Sequence, residues 1–249
     1  MKKKLMKNII MAVVCFCCAF LFKNITVNAA MADEAEDYDL GEFYSGRVNG
    51  TYGEDSERYG ARVFKFSIPE KSHVSLWCWY KDNGYGGTIY NSSGKAILKI
   101  QDLEFTKNET TGWSSANQYR VLPSGTYYLK IDDNGSFGIQ SFDFKFKIQA
   151  EKQIKLPKGS INSLKGNKKG QMTVKCKSVQ NAIGYRIQYS TDYRFKKGVK
   201  TVYSPTIVKN IKGLKKGAIY YVKVSPYNVY DDGHYAFGQN SYIKKVVIK

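Results

Sequence analysis

Two tryptophans flank a cysteine in the segment VSLWCWYKDNG, residues 74–84, and the whole chain has only three tryptophans. If the segment is a β-strand, residues 74, 76, 78 and 80 share one face, while Trp77 and Trp79 share the other. The first set is aliphatic, thiol and aromatic, so it is the natural core face. Two indoles that point to solvent offer a stacking surface for sugar rings or collagen. We predict an aromatic ligand-binding platform made of Trp77, Trp79, Tyr85 and Tyr90.

Burial of these tryptophans is the alternative, and the sequence leaves it open. The segment 104–120, which contains Phe105, Trp113 and Tyr119, is long enough to lie over them as a loop. An inverted strand register also places both indoles in the core. Only exposure of the tryptophans predicts a function, because large exposed aromatic patches on soluble proteins usually mark binding sites.

Residues suited to catalysis are few. The chain has two histidines, His73 and His234, both beside turns and in different halves. The sequence has no Gly-x-Ser-x-Gly, His-Glu-x-x-His or Cys-x-x-Cys motif. A nucleophilic cysteine needs an adjacent base, and Cys78 and Cys176 lie in strand patterns that favour burial. We therefore predict that the protein is not an enzyme.

No cofactor is predicted, and a calcium site is the weaker alternative. Hard cations need several converging oxygen ligands, but the spacing of the acidic residues is not that of an EF-hand. The segment 132–135 is typical of a hairpin turn. The available carboxylates are Asp37, Asp39, Glu42, Asp55, Asp82, Asp132 and Asp133.

Charge divides the chain into two halves. Residues 31–150 have 13 Lys/Arg against 17 Asp/Glu, whereas residues 151–249 have 21 against 4. This asymmetry predicts two domains, the second attracting polyanions. Lysines on strand edges also prevent edge-to-edge aggregation, which is the alternative explanation. The sequence has no motif in which aromatic residues alternate with basic ones, so specific nucleic-acid recognition is not predicted. The predicted polyanion-binding residues are Lys196, Lys197, Lys200, Lys215 and Lys216.

The first thirty residues are typical of a secretory signal peptide. Four lysines precede an apolar run at 9–22, and small residues follow at 29–30. The run is short for a membrane span of about 20 residues. We expect a secreted, extracellular protein with no membrane span after cleavage, either released or held at a cell surface by charge. The chain has two cysteines after residue 30, which are too few for a disulfide framework. So low a cysteine count in an exported protein favours a Gram-positive bacterial source.

The elements that position these groups are short strands. Alternating segments bounded by turn formers predict an all-β protein made of two consecutive antiparallel β-sandwiches. We place an acidic leader at 31–44, and its stretch at 31–39 should be mobile because it has few apolar residues to bury. We place the first sandwich at 45–150 and the second at 151–249. The predicted strands are 62–68, 74–80, 125–131, 141–148, 171–177, 184–189, 219–224 and 241–248.

The second half resembles a fibronectin type III domain of the lysine-rich kind found in secreted clostridial-type proteins. The resemblance covers 155–249 and rests on GYRIQYSTDYRFKKGVKT (184–201), IKGLKKGAIYYVKVSPYN (211–228) and YAFGQNSYIKKVVIK (235–249). It places Leu214, Gly217 and Tyr220 at the family's tyrosine corner, where the tyrosine hydroxyl bonds back to the backbone. Cys176 stands where the family usually has a core tryptophan, so Tyr185 or Tyr189 is expected to supply bulk.

The first half is similar to the bacterial pre-peptidase C-terminal (PPC) domain, a jelly-roll-like sandwich. The motifs are RYGARVFKFSIPEKSHVSL (58–76) and LPSGTYYLKIDD (122–133), and the resemblance covers about 45–148. Such domains accompany secreted peptidases and occur in collagen- or carbohydrate-binding appendages. The resemblance implies a noncatalytic accessory role.

Together these observations predict a secreted, noncatalytic protein that binds extracellular polysaccharide, a cell-wall polymer or a matrix protein, in adhesion or as an accessory module. One alternative is a structural protein–protein interaction subunit of a surface assembly. Another is an accessory protein of a secreted hydrolase.

Overall fold

A computed structural model describes residues 31–49, 61–81, 86–132 and 141–249. The chain divides into two compact units, Met1–Gln153 and Ile154–Lys249. Strands dominate both units, and the sheets are built mainly from antiparallel pairs, so the all-β prediction is confirmed. The predicted signal peptide lies outside the described residues. Among the described residues, no helix has the length and apolar character needed to cross a membrane.

The first unit has two five-stranded sheets, with strand orders β1-β3-β9-β5-β6 and β2-β10-β4-β8-β7. A short 3-10 turn, Ile100–Asp102, follows β6. The sequence segments predicted at 62–68 and 125–131 coincide with β3 and β9. The strands are β1 (Glu36–Asp37), β2 (Phe43–Val48), β3 (Arg62–Ile68), β4 (Ser72–Lys81), β5 (Thr88–Asn91), β6 (Ala96–Lys99), β7 (Thr106–Lys107), β8 (Trp113–Leu122), β9 (Gly125–Ile131) and β10 (Phe142–Lys152).

Alternate residues of these strands form one hydrophobic core. On β10, Phe144 and Phe146 are fully buried and contact Phe64 of β3 at centroid distances of 6.1 and 4.8 Å. Leu76 and Cys78 on β4 enter the same core. Burying several aromatic rings contributes most of the hydrophobic stabilisation of a sandwich of this size.

The acidic leader is not wholly mobile, so that expectation is corrected. Glu36 and Asp37 form a strand that pairs in parallel with β3. The next residue, Tyr38, is buried, and its ring packs 4.9 Å from that of Phe146. The expectation counted acidic residues and missed the anchoring effect of one buried aromatic side chain.

The second unit has a three-stranded sheet, β11-β12-β15, and a second sheet, β14-β13-β16-β17, in which β18 also pairs with β16. Met172 and Val174 on one sheet and Val222 and Val224 on the other are fully buried. The strands are β11 (Ile161–Lys168), β12 (Gln171–Cys176), β13 (Gly184–Ser190), β14 (Lys200–Ser204), β15 (Val208–Lys212), β16 (Ile219–Val229), β17 (Tyr235–Phe237) and β18 (Lys244–Val247).

The tyrosine-corner residues lie in the loop between β15 and β16 and at the start of β16. Leu214 is buried, and Gly217 adopts a φ of +76°, which favours glycine. The Tyr220 hydroxyl accepts a long 3.4 Å hydrogen bond from the backbone N–H of Lys215. Cys176 shares its core with Tyr185 and Tyr189, the two side chains from which compensating bulk was expected.

Candidate functional site

Trp77 and Trp79 lie on the outer face of the central strand β4. Leu76, Cys78 and Tyr80 are buried, whereas the two tryptophans are only partly buried. The strand therefore has the register expected from its alternation, and the inverted register is wrong. Because β4 lies between β10 and β8 in its sheet, its outward side chains have neighbours on both sides.

Two further aromatic residues lie on the same outer face. Phe43 of β2 is 66% exposed, and its ring centroid is 5.6 Å from that of Trp79. Trp113 is the first residue of β8, pairs with Lys81 of β4 and is partly buried. All three tryptophans of the chain thus occupy one side of one sheet. We call this surface the tryptophan face, and it comprises Phe43, Trp77, Trp79, Trp113, Lys145 and Lys147.

Lysines from β10 lie among these rings. The Lys145 Nζ is 4.5 Å from the centroid of Trp113. The Lys147 Nζ is 5.3 Å from the centroid of Phe43 and 5.8 Å from that of Trp77. An ammonium group at this distance from an aromatic ring is attracted to it by roughly 0.5–1 kcal/mol at exposed sites. The lysines therefore restrain the rings and give the face positive charge.

The tryptophan face has two shallow depressions. The larger, of about 560 Å³, lies among Phe43, Trp79, Trp113 and Lys145. The smaller, of about 250 Å³, adjoins Trp77 and Trp79 and has Glu104, Thr106 and Asn117 at its border. Both combine aromatic walls with polar groups, the composition that small-molecule and sugar subsites need.

The predicted platform is only partly assembled. Tyr90 lies on β5, which belongs to the other sheet, so it does not join the tryptophans. Its partner across the ladder is Tyr128 of β9. Tyr85 lies outside the described residues. The suggested covering loop is also wrong over 113–120, because these residues belong to β8, which pairs beside β4 and contributes Trp113.

The two cysteines are unsuited to nucleophilic chemistry. Cys78 is fully buried, and burial raises the pKa of its thiol to about 12. Burial likewise raises the pKa of the Cys176 thiol to about 11. Only the thiolate is a nucleophile, so both groups remain protonated and inert near neutral pH.

Two candidate calcium ligands form ion pairs with lysines. Asp37 lies 3.0 Å from the Lys65 Nζ, and Asp132 lies 2.8 Å from the Lys130 Nζ. The candidates Asp55, Asp82 and Asp133 lie outside the described residues. These two lysine pairs reduce the negative charge that a cation site would use, and calcium stays the weaker alternative.

The predicted polyanion-binding lysines are all exposed on the second unit. Lys196 and Lys197 lie between β13 and β14, and Lys200 begins β14. Lys215 and Lys216 lie in the loop before β16. Tertiary structure brings these separate segments to one end of the sandwich, as described below.

A second aromatic cluster, which the sequence analysis missed, covers the outer face of the β14-β13-β16-β17 sheet. Tyr235 stacks between Tyr203 and Phe237, with centroid distances of 5.3 and 5.5 Å. Tyr227 packs beneath them, and the Arg186 guanidinium carbon lies 3.9 Å from the Phe237 centroid. The aromatic members come from three different strands, β14, β16 and β17, so periodicity within one strand could not have found the cluster.

No protein-family model and no curated protein matches this chain. Among solved structures, it is similar to the pre-peptidase C-terminal domain of a Bacillus anthracis collagenase, at 14% identity and a TM-score of 0.33, over 47% of this chain and 95% of that one. The sixth fibronectin type III domain of human fibronectin type III domain containing protein 3 matches at 14% identity and a TM-score of 0.29, over 39% of this chain and 87% of that one. A Clostridium thermocellum Fn3-like protein matches at 18% identity and a TM-score of 0.27, over 38% and 92%. These neighbours are the two kinds of domain that the sequence resemblances predicted.

Proposed function

We propose that this chain is a secreted, noncatalytic binding protein whose first unit attaches to an extracellular polysaccharide through the tryptophan face. The observation that supports this most directly is the gathering of all three tryptophans and Phe43 on one partly exposed side of a sheet. Soluble proteins rarely leave such a contiguous aromatic surface without a ligand.

The geometry of the face suits a chain of sugar rings. Trp77 and Trp79 are two residues apart on one strand, which separates their attachment points by about 7 Å. Indole faces pack against the apolar faces of sugar rings, while Lys145 and Lys147 offer N–H donors to hydroxyl groups. The depressions are shallow and open, as an extended polymer requires.

An interaction subunit of a surface assembly is the main rival, since partly exposed aromatics also serve protein interfaces. An accessory role beside a secreted hydrolase, or attachment to a cell-wall polymer or matrix protein, uses the same surface with a different ligand. The polysaccharide is favoured because the lysines and polar borders leave the face too hydrophilic for a typical obligate interface.

The test is a pull-down of the chain on insoluble polysaccharides, cell wall and collagen at low and high salt. We expect retention on polysaccharide that survives high salt and is lost in a Trp77→Ala/Trp79→Ala variant that circular dichroism confirms to be folded. Tyr90→Ala is the matched control, because it removes a partly buried aromatic ring from the other sheet.

Retention that is unchanged in the folded double tryptophan variant would contradict the proposal. Binding to collagen alone, or self-association of the chain through the same face, would favour the protein-interface rival.

A further inference from the structure

Loops rich in lysine converge at one end of the second unit. The hairpin between β11 and β12 has Lys168 and Lys169 at its turn. Lys212, the last residue of β15, pairs with the first residue of β12. The N–H of Leu214 then donates a 3.0 Å hydrogen bond to the carbonyl of Gly170. The hairpin turn and the loop after β15 are therefore directly joined.

The end of the chain completes this arrangement. Lys215 and Lys216 are exposed in the same loop, and the N–H of Gly217 donates to the carbonyl of Ile248 at 2.8 Å. The N–H of the hairpin glycine donates to the carbonyl of Lys249 at 3.0 Å. The C-terminal segment thus adds its own lysine beside those of the two loops.

The loop between β13 and β14 lies at the same end. Ser190, the last residue of β13, pairs with Tyr221 near the start of β16. Asp192 organises this loop, because its carboxylate accepts the N–H groups of Lys196 and Lys197 at 2.9 and 3.2 Å. The only acidic residue of this loop is therefore used within the loop, while both lysine side chains are exposed.

Acidic residues are few in this unit and mostly lie away from the lysine-rich loops. Residues 154–249 contain 20 Lys/Arg and three acidic residues, Asp192, Asp231 and Asp232. The last two follow β16, whereas the lysine loops adjoin its start. Since β16 has 11 residues, the two groups are separated by about 35 Å at roughly 3.3 Å per residue.

We propose that this lysine-rich end, formed by segments 168–170, 191–200 and 212–217 and by the C-terminal segment 244–249, binds a linear polyanion carrying phosphate or sulfate groups. The site is independent of the tryptophan face. Lysine ammonium groups are compact point charges, unlike the bidentate fork of arginine, so the site recognises charge density and not one particular group. A flexible polymer contacts several loops at once and releases counterions from each contact.

Protection of strand edges accounts for only part of this set of lysines. That role places lysine along exposed edges, where it prevents a strand from pairing with another chain. Lys169 and the pairs at 196–197 and 215–216 lie in turns or loops, whereas Lys168 and Lys200 are terminal residues of the edge strands β11 and β14. The convergence of the loop lysines therefore needs another explanation, and an anionic ligand supplies it.

The test compares two full-length variants of equal net charge. One replaces the predicted residues by glutamine, as Lys196→Gln, Lys197→Gln, Lys200→Gln, Lys215→Gln and Lys216→Gln. The control changes five lysines away from this end: Lys155→Gln, Lys158→Gln, Lys175→Gln, Lys177→Gln and Lys209→Gln. Binding to polyphosphate, heparin and polyglutamate is measured by fluorescence anisotropy at several salt concentrations.

Wild type should lose roughly 100-fold in affinity between 50 and 200 mM salt if about five charges are neutralised, at a logarithmic slope of about 0.7 per contact. In the first variant the slope of log affinity against log salt should become shallower by about 3.5, which is five contacts at about 0.7 each. The control variant should leave this slope nearly unchanged. Binding to polyphosphate alone would identify a phosphate polymer, and binding to heparin alone a sulfated polysaccharide. Equal losses of affinity in both variants would overturn the proposal, because they would show that net charge alone determines binding. Binding only to polyglutamate would overturn it in favour of an acidic protein partner, and binding to none of the probes would also overturn it.

Discussion

The hydroxyl group of Tyr38 replaces a missing part of the β2–β10 ladder, and its removal should measurably destabilise the first unit. β2 begins at Phe43, whose partner on β10 is Lys147. The next N–H on β10, that of Ile148, donates instead to the Tyr38 hydroxyl at 2.9 Å. The same hydroxyl donates to the carbonyl of Glu42 at 2.5 Å. Burial raises the pKa of Tyr38, so the hydroxyl stays protonated as a donor at neutral pH.

Tyr38→Phe removes this group but keeps the ring packed on Phe146. Ile148 is fully buried, so water does not easily replace the lost partner of its N–H. An unsatisfied buried donor costs about 1–3 kcal/mol. With a urea m-value of about 1–3 kcal/mol per molar, the unfolding midpoint should fall by about 1 M.

Tyr127→Phe is the matched control. Its hydroxyl donates to the carbonyl of Pro123 at 3.0 Å, but Pro123 is exposed, so water can take over that bond. The control should change the free energy of unfolding by no more than about 0.5 kcal/mol.

Tryptophan fluorescence during urea unfolding is the appropriate assay. All three tryptophans lie in the first unit, so the signal follows that unit even in the complete chain. Equal free-energy changes in the two variants, or an unchanged midpoint in Tyr38→Phe, would refute the argument that the hydroxyl completes the ladder.

Two other predictions concern buried groups. Because burial raises the pKa of Cys78 from 9.0 to about 12, the thiol ionises first in the unfolded state, and the first unit should lose stability as pH rises from about 9 towards 12. Urea midpoints at pH 8 and pH 11 should therefore differ less in Cys78→Ala than in wild type, and an identical difference would exclude the thiol as a contributor. In the second unit, a Cβ on Gly184 would lie 2.6 Å from the Tyr227 ring and 2.7 Å from the Ser204 carbonyl oxygen. Gly184→Ala should lower the free energy of unfolding by about 1–3 kcal/mol through overpacking. A thermal scan monitored by the near-UV circular dichroism of tyrosine should show this as a lower melting temperature. An unchanged melting temperature would mean that the Tyr227 ring moves aside at no cost.

Strands whose inward residues are large and apolar were predictable from sequence. The alternation over 62–68 and 125–131 predicts β3 and β9 with their observed bounds. β8 escaped prediction because its inward residues Ser114 and Ala116 are small, so the strand lacks a hydrophobic period. The same omission made Trp113 seem part of a covering loop.

The composition of the candidate site depends on which strands become neighbours. The outward orientation of Trp77 and Trp79 follows from the alternation within one strand. Tyr90 is close to them in sequence, but β5 joins the opposite sheet. Phe43 is more than 30 residues away and becomes a neighbour only through β10. Periodicity determines the face of a residue within its strand, whereas sheet membership depends on long-range pairing.

The uneven distribution of positive charge along the second unit affects how the molecule meets an anionic surface. The lysine-rich end and the two aspartates after β16 lie at opposite ends of the unit, so its positive charge is unevenly distributed and an anionic surface exerts a torque on it. Within about 8–10 Å of such a surface at physiological salt, the unit rotates before contact, and its rotational search is shortened. The backbone N–H of Ile154, where the chain enters this unit, donates to the Tyr230 hydroxyl at 3.1 Å, beside the two aspartates. Docking in this orientation leaves the point of chain entry on the side remote from the surface.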